Sequence, residues 1–171
     1  MPLEPVRGIV RTVPTFSRIL FAADFSEDSE YALGYAQEIA TRFSCEIVVL
    51  HVAQPLPPLI LGEPETALDA GTINQIVEEQ RLLAVRELDK RVERLRQAGL
   101  RARSIVRIGA PFLEIAGAAK TEKADLIVLA THGRGGLAHV LLGSVAERVV
   151  RKAPCPVLTV RHPDRNTKHS S

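Results

Sequence analysis

Five short apolar runs constrain this chain more than any other feature of it: Ile19 to Ala23, Ile47 to Val52, Ser104 to Ile108, Leu126 to Ala130 and Val157 to Val160. Each is near-continuous instead of alternating, the pattern of a strand covered on both faces. Strands of that kind belong to parallel sheets, and a parallel sheet needs helical crossovers. The segments between the runs supply them. Ser26 to Phe43 places Ala32, Tyr35, Ala36, Ile39, Ala40 and Phe43 on one stripe, with Ser26 as N-cap and Glu27 and Asp28 in the first turn. A second helical pattern opens with Thr72 and Gln75 in capping-box spacing and turns Ile73, Val77, Leu88, Val92 and Leu95 inward. It sets Glu87 and Arg91 on its wet face and stops at Gly99. A third begins at Pro111 and runs through Leu113, Ile115, Ala116 and Ala119, and the last spans Ser144 to Lys152, ended by Ala153-Pro154. The order predicts an α/β fold with helices on both faces of a parallel sheet and right-handed crossovers.

With 171 residues there is room for one core. Aromatic residues make up only 4% of the chain and Trp is absent, so aliphatic side chains must fill it. Residues 1–16, with three prolines, read as an irregular extension, 17–160 as the folded domain, and 161–171, almost wholly polar, as a disordered tail. Residues 53–71 are the one connection long enough to break the rhythm, a length typical of functional or disordered loops. The formal net charge is +2 with the basic residues dispersed, which lacks the footprint of a nucleic-acid binder. No run approaches the roughly 18 apolar residues of a membrane span, and the N-terminus does not read as a secretory signal, so a cytoplasmic protein is expected. Cys45 and Cys155 read as small buried hydrophobes, with a disulfide between them left open.

In open parallel sheets the ligand crevice lies beyond the carboxyl ends of the strands, where strand order reverses. The fourth run leads directly into Thr131-His132-Gly133-Arg134-Gly135-Gly136, and Gly143-Ser144 then opens the last helix. Closely spaced glycines leave backbone N–H groups unobstructed, and a helix N-terminus favours an anion, so this is a phosphate cradle in outline. Ser144 and Glu147 also have capping-box spacing, and a cap and a phosphate contact are compatible. No Lys completes a Walker A motif. A loose dinucleotide fingerprint, Gly133-x-Gly135-x-x-Ala138, has too little chain after it for the required βαβ unit. His132 and His139 have no Ser or Cys partner at interpretable spacing and are given no catalytic role, and His51 reads as packed at a strand end.

Taken together, Gly133, nine residues and Gly143-Ser144, with Ala23-Asp24-Phe25-Ser26, Ile108-Gly109-Ala110-Pro111 and Pro154-Cys155-Pro156, resemble the universal stress protein family, in its ATP-binding subtype. The likeness covers about residues 17–160. It implies an adenine-nucleotide alpha hydrolase-like sheet of order 3-2-1-4-5 with two helices on each face. It also implies ATP, with Mg²⁺ where a triphosphate needs it, and a role in stress adaptation through conformation or partner choice. Asp24 and Val52 would lie at the nucleoside end, Leu129 and Ala130 near the ribose, and Gly133, Gly143, Ser144 and Val145 around the phosphates. Arg134 is the only cation within the glycine loop. Each has an ordinary alternative: Asp24 as an acid at a helix start, Val52 as packing, Arg134 as an exposed loop side chain. The resemblance further implies a homodimer formed through Val157, Leu158, Thr159 and Val160. Ala130 stands where the family motif has its first Gly, which points to the alternative of a dimeric interaction module that holds no nucleotide. A slow nucleotide hydrolase is the remaining reading.

Overall fold

The computed structural model of the chain describes residues 16–54, 69–132 and 142–163. Within these, β1 (Arg18–Ala22), α1 (Glu27–Phe43), β2 (Glu46–Ala53), α2 (Ala70–Gln97), β3 (Ala102–Ile108), α3 (Pro111–Thr121), β4 (Leu126–Ala130), α4 (Ser144–Lys152) and β5 (Val157–Val160) follow one another. The strands form one parallel sheet of order β3-β2-β1-β4-β5, as expected. Phe21 lies opposite Val49 on one side and Val128 on the other, and this register decides which residues share a face.

Side chains alternate across a strand, so each run feeds two cores. Ile19, Phe21, Ile47, Val49 and Val128 pack beneath Ala32, Ala36 and Ala40 of α1 and Leu88, Val92 and Leu95 of α2. Leu20, Val48, Leu50, Ile127 and Leu129 pack against Ile115, Ala118 and Ala119 of α3 and Ala146 and Val149 of α4. Two helices per face explain why these strands are apolar at every position. Small residues dominate the buried face of α1, which lets it lie close on the sheet.

The amino ends of the strands carry a polar network. Glu46 accepts from Arg18 Nε at 2.7 Å and Arg103 Nε at 3.0 Å, and Arg103 also pairs with Glu122. Burial alone would raise the Glu46 carboxyl, but the bond from Arg18, the charges of Arg103 and Arg18, and the bond from Arg103 hold it below its ordinary value. In the ladders Arg18 lies opposite Glu46 and Arg103 opposite Val48. β1 begins one residue before the expected Ile19, and β3 two residues before Ser104.

Several local expectations are corrected. The N-cap of α2 is Asp69, whose carboxylate accepts from the Thr72 amide at 3.0 Å, so Thr72 and Gln75 lie inside the helix and are not a capping box. The Thr72 side-chain and backbone bonds hold the Asp69 carboxyl below its usual range. Arg91, expected on the wet face of α2, is buried. Tyr35 and Phe43, expected on the inward stripe of α1, are each 45% exposed. They sit at the margins of the helix: the Tyr35 hydroxyl meets that of Tyr31 at 3.2 Å, and Phe43 packs edge-on against Phe16. Ser26 does cap α1, accepting from the Ser29 amide at 3.2 Å. Cys45 joins the α1–α2 core and Cys155 packs against the α3–α4 core. Both are free thiols, and burial is the largest cause pushing each above its ordinary value.

Candidate functional site

Strand order reverses between β1 and β4, whose successors diverge to opposite edges of the sheet. The carboxyl ends of these two strands therefore flank the crevice in which such folds take ligands. Three pieces of chain meet there: the β1–α1 turn, the end of β2 and the exit of β4.

The β1–α1 turn is tightly bonded. Ala23 donates its amide to Leu50 O at 2.8 Å, extending the pairing one residue past β1. Asp24 follows, and its Oδ1 accepts from both the Ser26 amide at 3.0 Å and the Ser26 hydroxyl at 2.6 Å. Asp24 is thus an acid at a helix start in fact, but the role occupies only one carboxylate oxygen. Oδ2 makes no hydrogen bond among the described residues and keeps its lone pairs for a donor. Phe25 then adopts φ 65°, a left-handed conformation that a bulky residue occupies only when its surroundings hold it there. Its ring stacks on His51, centroids 4.3 Å apart, and His51 Nδ1 lies 2.7 Å from Ala23 O. Since a carbonyl only accepts, Nδ1 carries the proton in this bond.

From β2, Val52 is half-buried against the α3–α4 core, leaving its backbone as the part with something to offer a ligand. From β4, Leu129 is buried and its side chain belongs wholly to that core, whereas Ala130 is half-buried on the α1–α2 side. Both side chains are thus committed to packing, and what these residues can offer at the strand end is backbone. Beyond them Thr131 and His132 are buried, with Thr131 Oγ1 3.0 Å from His132 Nδ1. The Thr131 amide bonds to Val160 O at 2.8 Å, and its carbonyl accepts from the Gly143 amide, also at 2.8 Å.

That last bond pins the start of α4 against the end of β4. A Cβ at Gly143 would lie 2.8 Å from Thr131 O, a separation real side chains do not show. Gly143 is itself the N-cap of α4, with φ −65° and ψ 154° and no side-chain cap bond, which corrects the expected capping box. Ser144 is the first helical residue and is exposed, Glu147 pairs with Arg151 at 2.9 Å, and the Glu147 amide bonds to Gly143 O. The frame is shifted by one because a Ser at position 143 could not approach Thr131 as glycine does. Val145 is partly buried against the α3–α4 core. The remaining predicted residues, Gly133 and Arg134 with Gly135, Gly136 and His139, lie outside the described residues.

Asp24, Val52, Leu129, Ala130, Gly143, Ser144 and Val145 thus all fall at strand ends or at the start of α4. Sequence reading missed the stacked Phe25–His51 pair, because nothing in Asp-Phe-Ser signals a left-handed Phe. It also missed the buried Thr131–His132 pair. Among the described residues no three His, Cys, Asp or Glu side chains come together to hold a metal ion, and no helix is long and apolar enough to cross a membrane.

The sequence model of the Universal stress protein family matches residues 15–161. The chain belongs to the universal stress protein family. A universal stress protein of Methanocaldococcus jannaschii is 34% identical over 150 residues, covering 88% of this chain and 85% of the relative. One from Thermus aquaticus is 36% identical over 149 residues, covering 85% of this chain and 99% of the relative. A solved structure of a second Methanocaldococcus jannaschii universal stress protein superposes with TM-score 0.76 at 28% identity, covering 88% of this chain and 99% of that one. Two further universal stress proteins share the fold at 23% identity. One was solved in complex with cAMP (TM-score 0.61, 86% of this chain and 98% of that one). The other, from Archaeoglobus fulgidus, was solved in complex with dAMP (TM-score 0.57, 86% and 99%).

Proposed function

We propose that this universal stress protein binds ATP or a related adenine nucleotide at the carboxyl ends of β1, β2 and β4, and acts in stress adaptation by changing conformation or partner choice when the site fills. The observation that carries the reading is the contact of Gly143 with Thr131 O, which only glycine permits and which seats the α4 N-terminus beside the switch point. A helix start in that place favours phosphate through its backbone N–H groups and its dipole. Asp24 Oδ2 is an acceptor for base or ribose donors, Val52 offers backbone groups to the adenine edge, and Leu129 and Ala130 line the ribose through backbone. Gly133, Arg134, Gly143, Ser144 and Val145 take the phosphates. The cAMP and dAMP complexes of relatives with this fold support an adenine nucleotide as the ligand class. Mg²⁺ usually keeps several waters and is held largely by substrate phosphates, so it would arrive with the triphosphate and need no cage of protein side chains.

The groups available bind ground-state phosphate, and equal stabilisation of ground and transition states does not raise the rate. ATP turnover should therefore stay below about 1 per second, the slow end of enzymes. The same reading makes the protein a cytoplasmic homodimer. Among the described residues β5 is an edge strand with no strand paired to its outer side, and Val157, Leu158, Thr159 and Val160 would meet their counterparts across a two-fold axis. Ala130, in place of the motif glycine, favours a second reading: the same dimer as an interaction module without nucleotide.

Ser144→Ala separates the two. Loss of one charge-assisted hydrogen bond should weaken ATP binding roughly ten- to a hundredfold while leaving the fold unchanged. Equal affinity in Ser144→Ala and the unmutated protein would remove Ser144 from the site. No ATP binding by either would leave the interaction module standing.

A further inference from the structure

The nucleotide reading uses Asp24 but leaves unexplained why its neighbour Phe25 is held at φ 65°, a conformation unfavourable for a residue with a Cβ. The side chains around that ring are the restraint. Arg91, on α2, lies with its guanidinium carbon 4.7 Å from the Phe25 centroid. Only 7% of Arg91 is exposed, so the contact is largely desolvated, which is where a cation over an aromatic ring is strongest. The guanidinium is itself fixed three times over. Its Nε donates to Glu30 Oε1 at 2.5 Å, and its NH1 donates to Glu87 O at 2.8 Å and to Glu87 Oε2 at 3.1 Å. Glu30 lies on α1, one turn beyond the Asp24–Ser26 bonds, and also accepts from Arg94 at 2.9 Å. On the strand side, Phe25 stacks on His51, which in turn holds the carbonyl of Ala23. Both peptide neighbours of Asp24 are thereby tied: Ala23 through His51, and Phe25 through His51 and Arg91.

We infer that Arg91 is a positioning residue for the nucleotide site, acting through a column of Arg91, Phe25 and His51 that locks the β1–α1 turn so that Asp24 Oδ2 is presented to the ligand. The inference rests on the reading of Asp24 as a nucleotide contact. It makes a buried arginine on α2, a helix that contributes no proposed ligand contact, a determinant of affinity. Lysine would not substitute, because it lacks the planar fork that bonds Glu30 and Glu87 while lying over a ring.

Replacing Arg91 alone would strip Glu30 and Glu87 of a shared buried donor and confuse positioning with stability. The test is therefore the double variant Glu30→Gln/Arg91→Met, which removes both charges of the central pair. Three quantities are measured on the full chain: the urea midpoint, the affinity for ATP with Mg²⁺, and hydrogen exchange at the Ser26 amide, whose partner is Asp24 Oδ1. The expected result is a variant that stays folded throughout the titration, ATP affinity about tenfold weaker, as a turn that holds the competent arrangement only about a tenth of the time implies, and faster exchange at Ser26. Unchanged affinity with unchanged exchange would overturn the inference. Should the double variant fail to fold, Phe25→Gly replaces it: glycine accepts φ 65° without cost and deletes the ring, so the same weakening and faster exchange are expected, and their absence overturns the inference equally. If the unmutated protein binds no ATP, the function reading fails, and exchange at Ser26 alone decides whether the column positions the turn.

Discussion

Gly143→Ala is the sharpest perturbation the fold offers. The added Cβ would sit 2.8 Å from Thr131 O, where ordinary van der Waals contact begins at 3.4 Å. Its backbone at φ −65° and ψ 154° suits any residue, so the whole effect is steric. The obstacle is a carbonyl that already bonds the Gly143 amide at 2.8 Å and belongs to a residue tied by its own amide to Val160 O. Neither partner yields as a flexible side chain would, so the start of α4 must move away from β4. Overpacking of this kind costs about 1–3 kcal/mol. Taking about 2 kcal/mol, and a urea dependence of about 2 kcal/mol per molar for a domain this small, the unfolding midpoint should fall by roughly 1 M. Nucleotide affinity should fall with it, because the Ser144 and Val145 amides move with the helix. Urea denaturation followed by circular dichroism, with ATP titration on the same samples, measures both. A midpoint within about 0.2 M of the unmutated protein and an unchanged ATP affinity would refute the argument that this contact seats the phosphate end of the site.

Gly34→Ala is the contrasting case: Gly34 is an exposed position within α1 with nothing within 4 Å of the added methyl, so it should stabilise by about 0.5–1 kcal/mol in the same denaturation assay. Glu46→Gln should cost about 2 kcal/mol near neutral pH by removing the negative charge and one of the two carboxylate oxygens that accept from Arg18 and Arg103. Because the folded-state carboxyl is held below its ordinary 4.5, its contribution is full above that pH and is lost as pH falls through the lower folded value, so thermal midpoints of variant and unmutated protein should converge only in acid. Leu158→Lys should shift the proposed dimer towards monomer by placing a charge in the β5 seam, and light scattering that finds the unmutated protein monomeric at high micromolar concentration would contradict the dimer.

The architecture was legible because its cause is local and repeated. Ile47-Val48-Val49-Leu50 can be apolar at four consecutive positions only if helices cover both faces, and the two cores divide those residues alternately. The order of the strands was not legible in that pattern; it came from family resemblance. Helix ends were read with partial success, since several hydroxyls and carboxylates near a boundary compete for the same amides. Asp69 wins that competition over Thr72, while at α4 no side chain caps at all because Gly143 must make the close approach. The strand-end positions of Asp24, Val52, Leu129 and Ala130 followed from the fold. What sequence could not supply was long-range pairing: Arg91 with Glu87 looked like a surface pair one turn apart, but Glu30, 61 residues away in sequence, draws the guanidinium inward onto Phe25.

Isothermal titration of the purified full chain with ATP and Mg²⁺ tests the central claim most directly. A glycine-seated helix start at the end of β4, with Asp24 at the end of β1, predicts saturable binding with a Kd in the micromolar range, about −8 kcal/mol, that ADP or AMP competes for. No heat up to millimolar ATP, with no nucleotide released when the purified protein is denatured, would contradict it.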